Sequence, residues 1–80
     1  MFGIGKNKSK HSELEAIVEK THMYMSNNYK DAARESFELL KKKYAELKEK
    51  GVLKQAQIDN YEMIISDLSI KFEKYSHKQM

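Results

Sequence analysis

The apolar residues on the two sides of Gly51 form a mirror image, and this pattern restricts the fold more than any other feature of the chain. Both flanks carry an apolar residue every three or four positions, the periodicity of one helix face. Five of the six pairs share a midpoint between Val52 and Leu53. The upstream members are Leu47, Tyr44, Leu40, Phe37, Ala33 and Tyr29, and the downstream members are Ile58, Tyr61, Ile65, Leu68, Phe72 and Tyr75. The pattern predicts a long antiparallel helical hairpin whose two arms meet layer by layer.

The turn of this hairpin has a defined local chemistry. A left-handed Gly51 after the last helical residue ends a helix without the steric penalty that a side chain would add. The next residue is then Val52, and it stands where a Schellman cap usually places an apolar contact with Leu47. Lys48 and Lys50 add positive charge beside the last carbonyl groups, which the helix dipole favours. The sequence therefore predicts a helix that stops at Lys50.

The composition favours one small, entirely helical domain. Eighty residues are enough for one compact core, and the chain contains no Pro that would interrupt a helix and no Cys that would cross-link it. Charged residues make up 34% of the chain and are mixed in sign, as on solvated helix surfaces. We predict an all-α fold, a three-helix bundle built on the long hairpin, with residues 1–11 as a flexible basic arm and residues 12–80 as a single helical domain.

The first predicted helix covers residues 12–26. Ser12 and Glu15 have the spacing of a capping box, in which each side chain binds the backbone N–H of the other residue. An apolar stripe of helical spacing follows, consisting of Leu14, Ile17, Val18, Thr21, Tyr24 and Met25. This stripe is the expected cover for the apolar flank of the hairpin.

The second and third predicted helices cover residues 28–50 and 54–76. Asn28 is a suitable N-cap for the second helix, with Asp31 in its first turn. The third helix lacks a good capping residue, because Lys54 and Gln55 cap less well than Ser or Asp. An alternative to the three-helix bundle is a hairpin that dimerises through its apolar flank, with the first helix packed alongside or loose.

The turn resembles a known family. The run from Leu47 to Leu53 (LKEKGVL), followed by Ile58, is similar to the hairpin turn of the SHOCT family, the short C-terminal domains of many bacterial proteins. Lys54 stands where that family usually has Ser or Thr. The resemblance covers about a quarter of the chain and implies a helical hairpin that mediates protein contacts.

Motifs that would support catalysis or metal binding are incomplete. Glu19-x-x-His22 has the spacing of a di-iron ligand pair, but such a site needs two of these motifs and two further glutamates that point inward. The apolar stripe places Glu19 and His22 on the outward face. Short connections also leave little room for an active-site cleft. We therefore predict no catalytic residues, no metal, no cofactor and no small-molecule substrate, and we do not expect an enzyme.

The positive charge is concentrated in the N-terminal arm. Residues 1–11 contain three lysines and no acid, whereas residues 12–80 contain equal numbers of basic and acidic residues. Nucleic-acid binding normally needs a one-sided basic surface, so the balanced body argues against it, and Lys41 to Lys43 have glutamates at pairing distance along the helix. The alternative function that stays open is weak binding of nucleic acid or an anionic membrane through the arm. Its residues are Phe2, Ile4, Lys6, Lys8 and Lys10.

The remaining apolar residues indicate a protein-binding function. The mirror pairs leave further apolar residues outside the hairpin seam, and we predict that four of these bind another protein or a second copy of the chain. These residues are Tyr24, Met25, Ile64 and Ile70. The N-terminal residues lack the apolar core of a signal peptide, which favours a cytoplasmic location. The sequence thus predicts an interaction module that acts as an adaptor, an assembly factor or a regulator.

Overall fold

Three helices and two short connections form the fold. The structure is a computed structural model that describes residues 9–78, with side chains as far as Lys74. Helix α1 covers Ser12–Ser26, α2 covers Lys30–Lys50 and α3 covers Gln55–Lys78. The all-α three-helix bundle is confirmed, and no helix in the described part of the chain is long and apolar enough to cross a membrane.

Helix α2 ends as the sequence predicts. Gly51 has a left-handed φ of 75°, its N–H donates to the Lys48 carbonyl at 3.1 Å, and the Val52 N–H donates to the Leu47 carbonyl at 3.3 Å. These two bonds define a Schellman cap. The cap turns the chain toward Leu53, which is buried at the start of the connection to α3.

Replacement of Gly51 by alanine is expected to lower the free energy of unfolding by about 1–2 kcal/mol, because an L-residue pays that cost in the left-handed region. A Cβ at this position meets no atom within 4 Å, so the effect is one of backbone conformation alone. Chemical denaturation of Gly51→Ala and Gly51→Asn measures it, since asparagine tolerates this region better. An alanine variant as stable as the asparagine variant would contradict the explanation.

The connection between α1 and α2 differs from the prediction. Asn28 is not the N-cap of α2; it has a φ of 62° and closes α1, and α2 begins two residues later. The Asn28 N–H donates to the Met25 carbonyl at 3.1 Å, and the Tyr29 N–H donates to the Tyr24 carbonyl at 2.9 Å. Helix α1 thus ends in a second Schellman cap, with the Tyr24 and Tyr29 rings 6.3 Å apart as its apolar contact.

The starts of α1 and α3 also differ from the prediction. No side chain caps α1, because Ser12 lies inside the helix and the Glu15 carboxylate binds the Tyr61 hydroxyl. Gln57 partly caps α3, because its Oε1 accepts the Lys54 N–H at 2.8 Å, as the third residue of a capping box does. The sequence analysis missed this role of Gln57.

The closest helix pair is α1 and α2, whereas the sequence analysis built the bundle on α2 and α3. Small side chains explain the difference, because Thr21, Ala33 and Ser36 are buried and let the backbones of α1 and α2 approach. Between α2 and α3, the rings of Phe37 and Phe72 stack at 4.9 Å and hold the helices further apart.

The mirror pattern predicts most of the core but not its register. Of the eleven mirror residues whose side chains the structure describes, eight are buried, and Ile58 and Ile65 are partly buried; the Tyr75 side chain lies outside the described part. Phe37 stacks on Phe72, one turn beyond its predicted partner Leu68. The predicted layer at Tyr29 is wrong, because Tyr29 is 58% exposed. The buried residues form one core, made of Leu14, Val18, Ala33, Phe37, Leu40, Tyr44, Leu47, Leu53, Tyr61, Leu68 and Phe72.

Candidate functional site

A groove between α1 and α2 is the strongest candidate site. We call it the α1–α2 groove; it has a volume of about 320 Å³ and is lined by Lys20, Tyr24, Ala32, Glu35, Ser36 and Leu39. Leu39 is 49% exposed and Tyr24 is partly buried, so the groove presents both an aliphatic and an aromatic side chain to solvent. As far as Lys74, the last side chain that the structure describes, no residue of α3 lines it.

One face of α2 carries the exposed wall of this groove. Ala32, Ser36 and Leu39 are spaced by three or four residues and therefore lie on the same side of α2, with Ser36 buried between the other two. Tyr29 extends this face beyond the groove, where its ring contacts Tyr24. The sequence predicts that Ser36 and Leu39 share a flank of α2, but it places Tyr29 on the hairpin seam and therefore does not predict that the face continues to Tyr29.

A buried hydrogen bond holds the two walls in register. The hydroxyl groups of Thr21 and Ser36 lie 2.6 Å apart, and the Thr21 hydroxyl also donates to the Ile17 carbonyl at 2.8 Å. Both side chains are almost completely buried. Because a buried hydroxyl without a partner costs free energy, this pair favours one relative position of α1 and α2. The floor of the α1–α2 groove is consequently well defined.

Tyr61 anchors the other end of α1. Its side chain is completely buried, and its hydroxyl accepts the His11 N–H at 3.0 Å and donates to Glu15 Oε1 at 2.7 Å. Burial, together with the hydrogen bond to the Glu15 carboxylate, raises the pKa of Tyr61 to about 12. This tyrosine therefore fixes the N-terminus of α1 on α3, at the opposite end of the helix from Tyr24.

The described end of the predicted arm is also in contact with α3. The Gln57 side chain donates to the Lys10 carbonyl at 2.8 Å, and the Asn60 side chain donates to the Ser9 carbonyl at 2.7 Å. Lys10 Nζ lies 4.0 Å from the Glu15 carboxylate. The other predicted arm residues, Phe2, Ile4, Lys6 and Lys8, lie outside the described residues, so arm-mediated binding stays a prediction.

Of the four predicted partner-binding residues, Tyr24 lines the α1–α2 groove and the other three do not. Met25 and Ile64 are partly buried against the core. Ile70 is 51% exposed on α3, a helix that does not line the groove.

The other residues that the sequence singled out lie on the surface. Glu19 and His22 are exposed on α1, as predicted. Within residues 9–74, no three His, Asp or Glu side chains are placed to share a metal ion. Lys41 pairs with Glu38 at 3.2 Å, and Lys43 pairs with Glu13 of α1 at 3.8 Å. Two of the three consecutive lysines are thus engaged with acidic side chains.

Comparisons with protein-family models, with curated proteins and with solved structures find no match. The resemblance of the turn to the SHOCT family stays a prediction. An assignment of function therefore depends on the chemistry of the α1–α2 groove.

Proposed function

We propose that the chain is a small, non-enzymatic, cytoplasmic protein-interaction module, and that the α1–α2 groove is its binding surface. The observation that carries this proposal is the exposed Leu39, which lines the same groove as Tyr24. Its partner is the apolar face of a helix, supplied by another protein or by a second copy. An adaptor, an assembly factor or a regulator would use such a surface.

The composition of the groove supports a helix as the ligand. A helix lying between α1 and α2 would present residues spaced by three or four positions to Tyr24, Ala32 and Leu39. Aromatic and aliphatic anchors of this kind contribute most of the binding energy in such contacts, with single anchors accounting for about 1–2 kcal/mol or more. Lys20 and Glu35, one on each wall, supply charges at the edge of the contact.

We expect a photoreactive amino acid at position 39 to form a covalent adduct with a protein partner in cells, because this position lies in the proposed contact. The same amino acid at position 52 is the matched control, since Val52 is also exposed (56%) but lies at the turn after α2. Adducts are detected by gel electrophoresis and identified by mass spectrometry.

A competition experiment shows whether the adduct at position 39 reports binding at the α1–α2 groove. Excess unmodified protein is expected to suppress the adduct at position 39, whereas a Leu39→Lys competitor is expected to suppress it much less. Leu39 is half exposed, so this substitution should change the folding free energy by only about 0.5 kcal/mol, and circular dichroism checks the fold. Equal adducts at positions 39 and 52, or none at position 39, would refute the proposed surface.

A further inference from the structure

The two walls of the α1–α2 groove carry opposite charges at the same level along the bundle. Lys20 on α1 and Glu35 on α2 are exposed, and each directly precedes one member of the buried Thr21–Ser36 hydrogen bond. Among the ion pairs of residues 9–74, none includes Lys20 or Glu35. The groove therefore offers one cation and one anion to an incoming molecule.

Two helical turns away, toward the start of α1 and the end of α2, the opposite charges of the two helices pair with each other. Glu13 of α1 pairs with Lys43 of α2 at 3.8 Å. At the level of Lys20 and Glu35, an added partner can supply ion pairs that these two residues do not make within residues 9–74.

We propose that a second copy of the chain occupies the α1–α2 groove about a two-fold axis parallel to the helices, with Lys20 of each copy facing Glu35 of the other. The proposal rests on the proposed function and specifies its partner. An axis parallel to the helices leaves the level of every residue unchanged and places α1 of one copy on α2 of the other. A surface with a base on one wall and an acid on the other is then complementary to itself, as a two-fold contact requires.

The apolar residues and the charges have different roles in this contact. Leu39 and Tyr24 of the two copies lose solvent exposure together, which provides the affinity. The Lys20–Glu35 pairs select the orientation, because charge complementarity at an interface mainly excludes wrong arrangements. A two-fold axis perpendicular to the helices at this level would bring Lys20 of one copy next to Lys20 of the other.

Charge reversal tests this arrangement directly. Lys20→Glu alone, and Glu35→Lys alone, each create two like-charge contacts in the dimer, so each is expected to raise the dissociation constant by about tenfold or more. An equimolar mixture of the two variants pairs opposite charges in both contacts and should form a heterodimer. The double variant Lys20→Glu/Glu35→Lys should likewise recover the dimer. Sedimentation equilibrium measures the dissociation constants, and native mass spectrometry identifies the heterodimer.

Lys71→Glu and Glu73→Lys are the matched controls. They produce the same changes in net charge, and both residues are exposed on α3 and do not line the groove. Neither control should change the dissociation constant by more than about twofold, since exposed charges outside the contact contribute little to the binding free energy. Circular dichroism of all variants shows that the helices are retained.

Three outcomes overturn this inference: a monomeric wild-type chain, a dimer that tolerates both single reversals, and a mixture that fails to restore the dimer. None of them by itself overturns the proposed function. If the chain is monomeric and position 39 still forms an adduct with a different protein, the groove binds that protein and only the second copy is excluded. If position 39 forms no adduct at all, the proposed function fails as well.

Discussion

Replacement of Phe72 by alanine is expected to lower the free energy of unfolding by about 3–5 kcal/mol, the usual cost of removing a buried aromatic ring. Phe72 is buried and its ring stacks on Phe37 at 4.9 Å with an interplanar angle of 15°. A domain of this size has only a modest total stability, so the alanine variant is expected to be close to unfolding at room temperature. Urea denaturation followed by circular dichroism measures the loss.

Phe72→Leu keeps the test informative if the alanine variant does not fold. A leucine preserves most of the apolar volume but removes the ring contact. A double-mutant cycle of Phe72→Leu with Phe37→Leu should give a coupling of about 0.5–1.5 kcal/mol, the usual contribution of an aromatic pair beyond its buried area. Leu53→Ala is the control partner for Phe37→Leu, because the turn lies about 20 Å along α2 from Phe37. Additive effects in both cycles would contradict the observed stacking.

The second large effect is expected at Tyr61. Tyr61→Phe removes the hydroxyl that accepts the His11 N–H and donates to the Glu15 carboxylate, while the ring still fills its place in the core. The His11 N–H then lacks this acceptor, and the expected loss of stability is about 1–3 kcal/mol. Thermal and chemical denaturation measure it. Tyr29→Phe is the matched control, because the exposed Tyr29 should change stability by less than about 0.5 kcal/mol.

The same hydroxyl gives the stability a dependence on alkaline pH. The pKa of Tyr61 is about 12 in the folded chain, whereas the ordinary pKa of a tyrosine is 10.0, so the unfolded chain loses this proton first as the pH rises. The contribution is fully present below pH 10 and is lost progressively as the pH rises toward about 12. Tyr44 contributes in the same direction, because burial and the nearby Glu62 carboxylate raise its pKa to about 12. Tyr61→Phe should therefore weaken the pH dependence of unfolding in this window, and an unchanged dependence would contradict the assignment.

The candidate site was only partly predictable from the sequence. Tyr24 was identified because it remained after the mirror residues had been assigned to the hairpin. The sequence places Leu39 on the apolar flank that α1 should cover and Tyr29 on the hairpin seam, because helical spacing alone does not say which of two apolar faces a neighbouring helix covers. The covered face of α2 is set by the small residues Ala33 and Ser36, which admit α1 at short distance. Which face of α2 is covered therefore depends on how its side chains pack against those of α1, and the sequence of α2 alone does not determine it.

The sequence by itself determined the class of the fold, the three helices and the end of α2. These features depend on interactions within a few residues, such as the left-handed Gly51 and the spacing of the apolar stripe of α1. The tertiary structure decided which helices lie closest, that Phe37 meets Phe72, and that Tyr61 holds the start of α1. Those outcomes depend on the sizes and hydrogen-bonding groups of side chains that are far apart in the chain. The spacing of apolar residues along one helix does not contain this information.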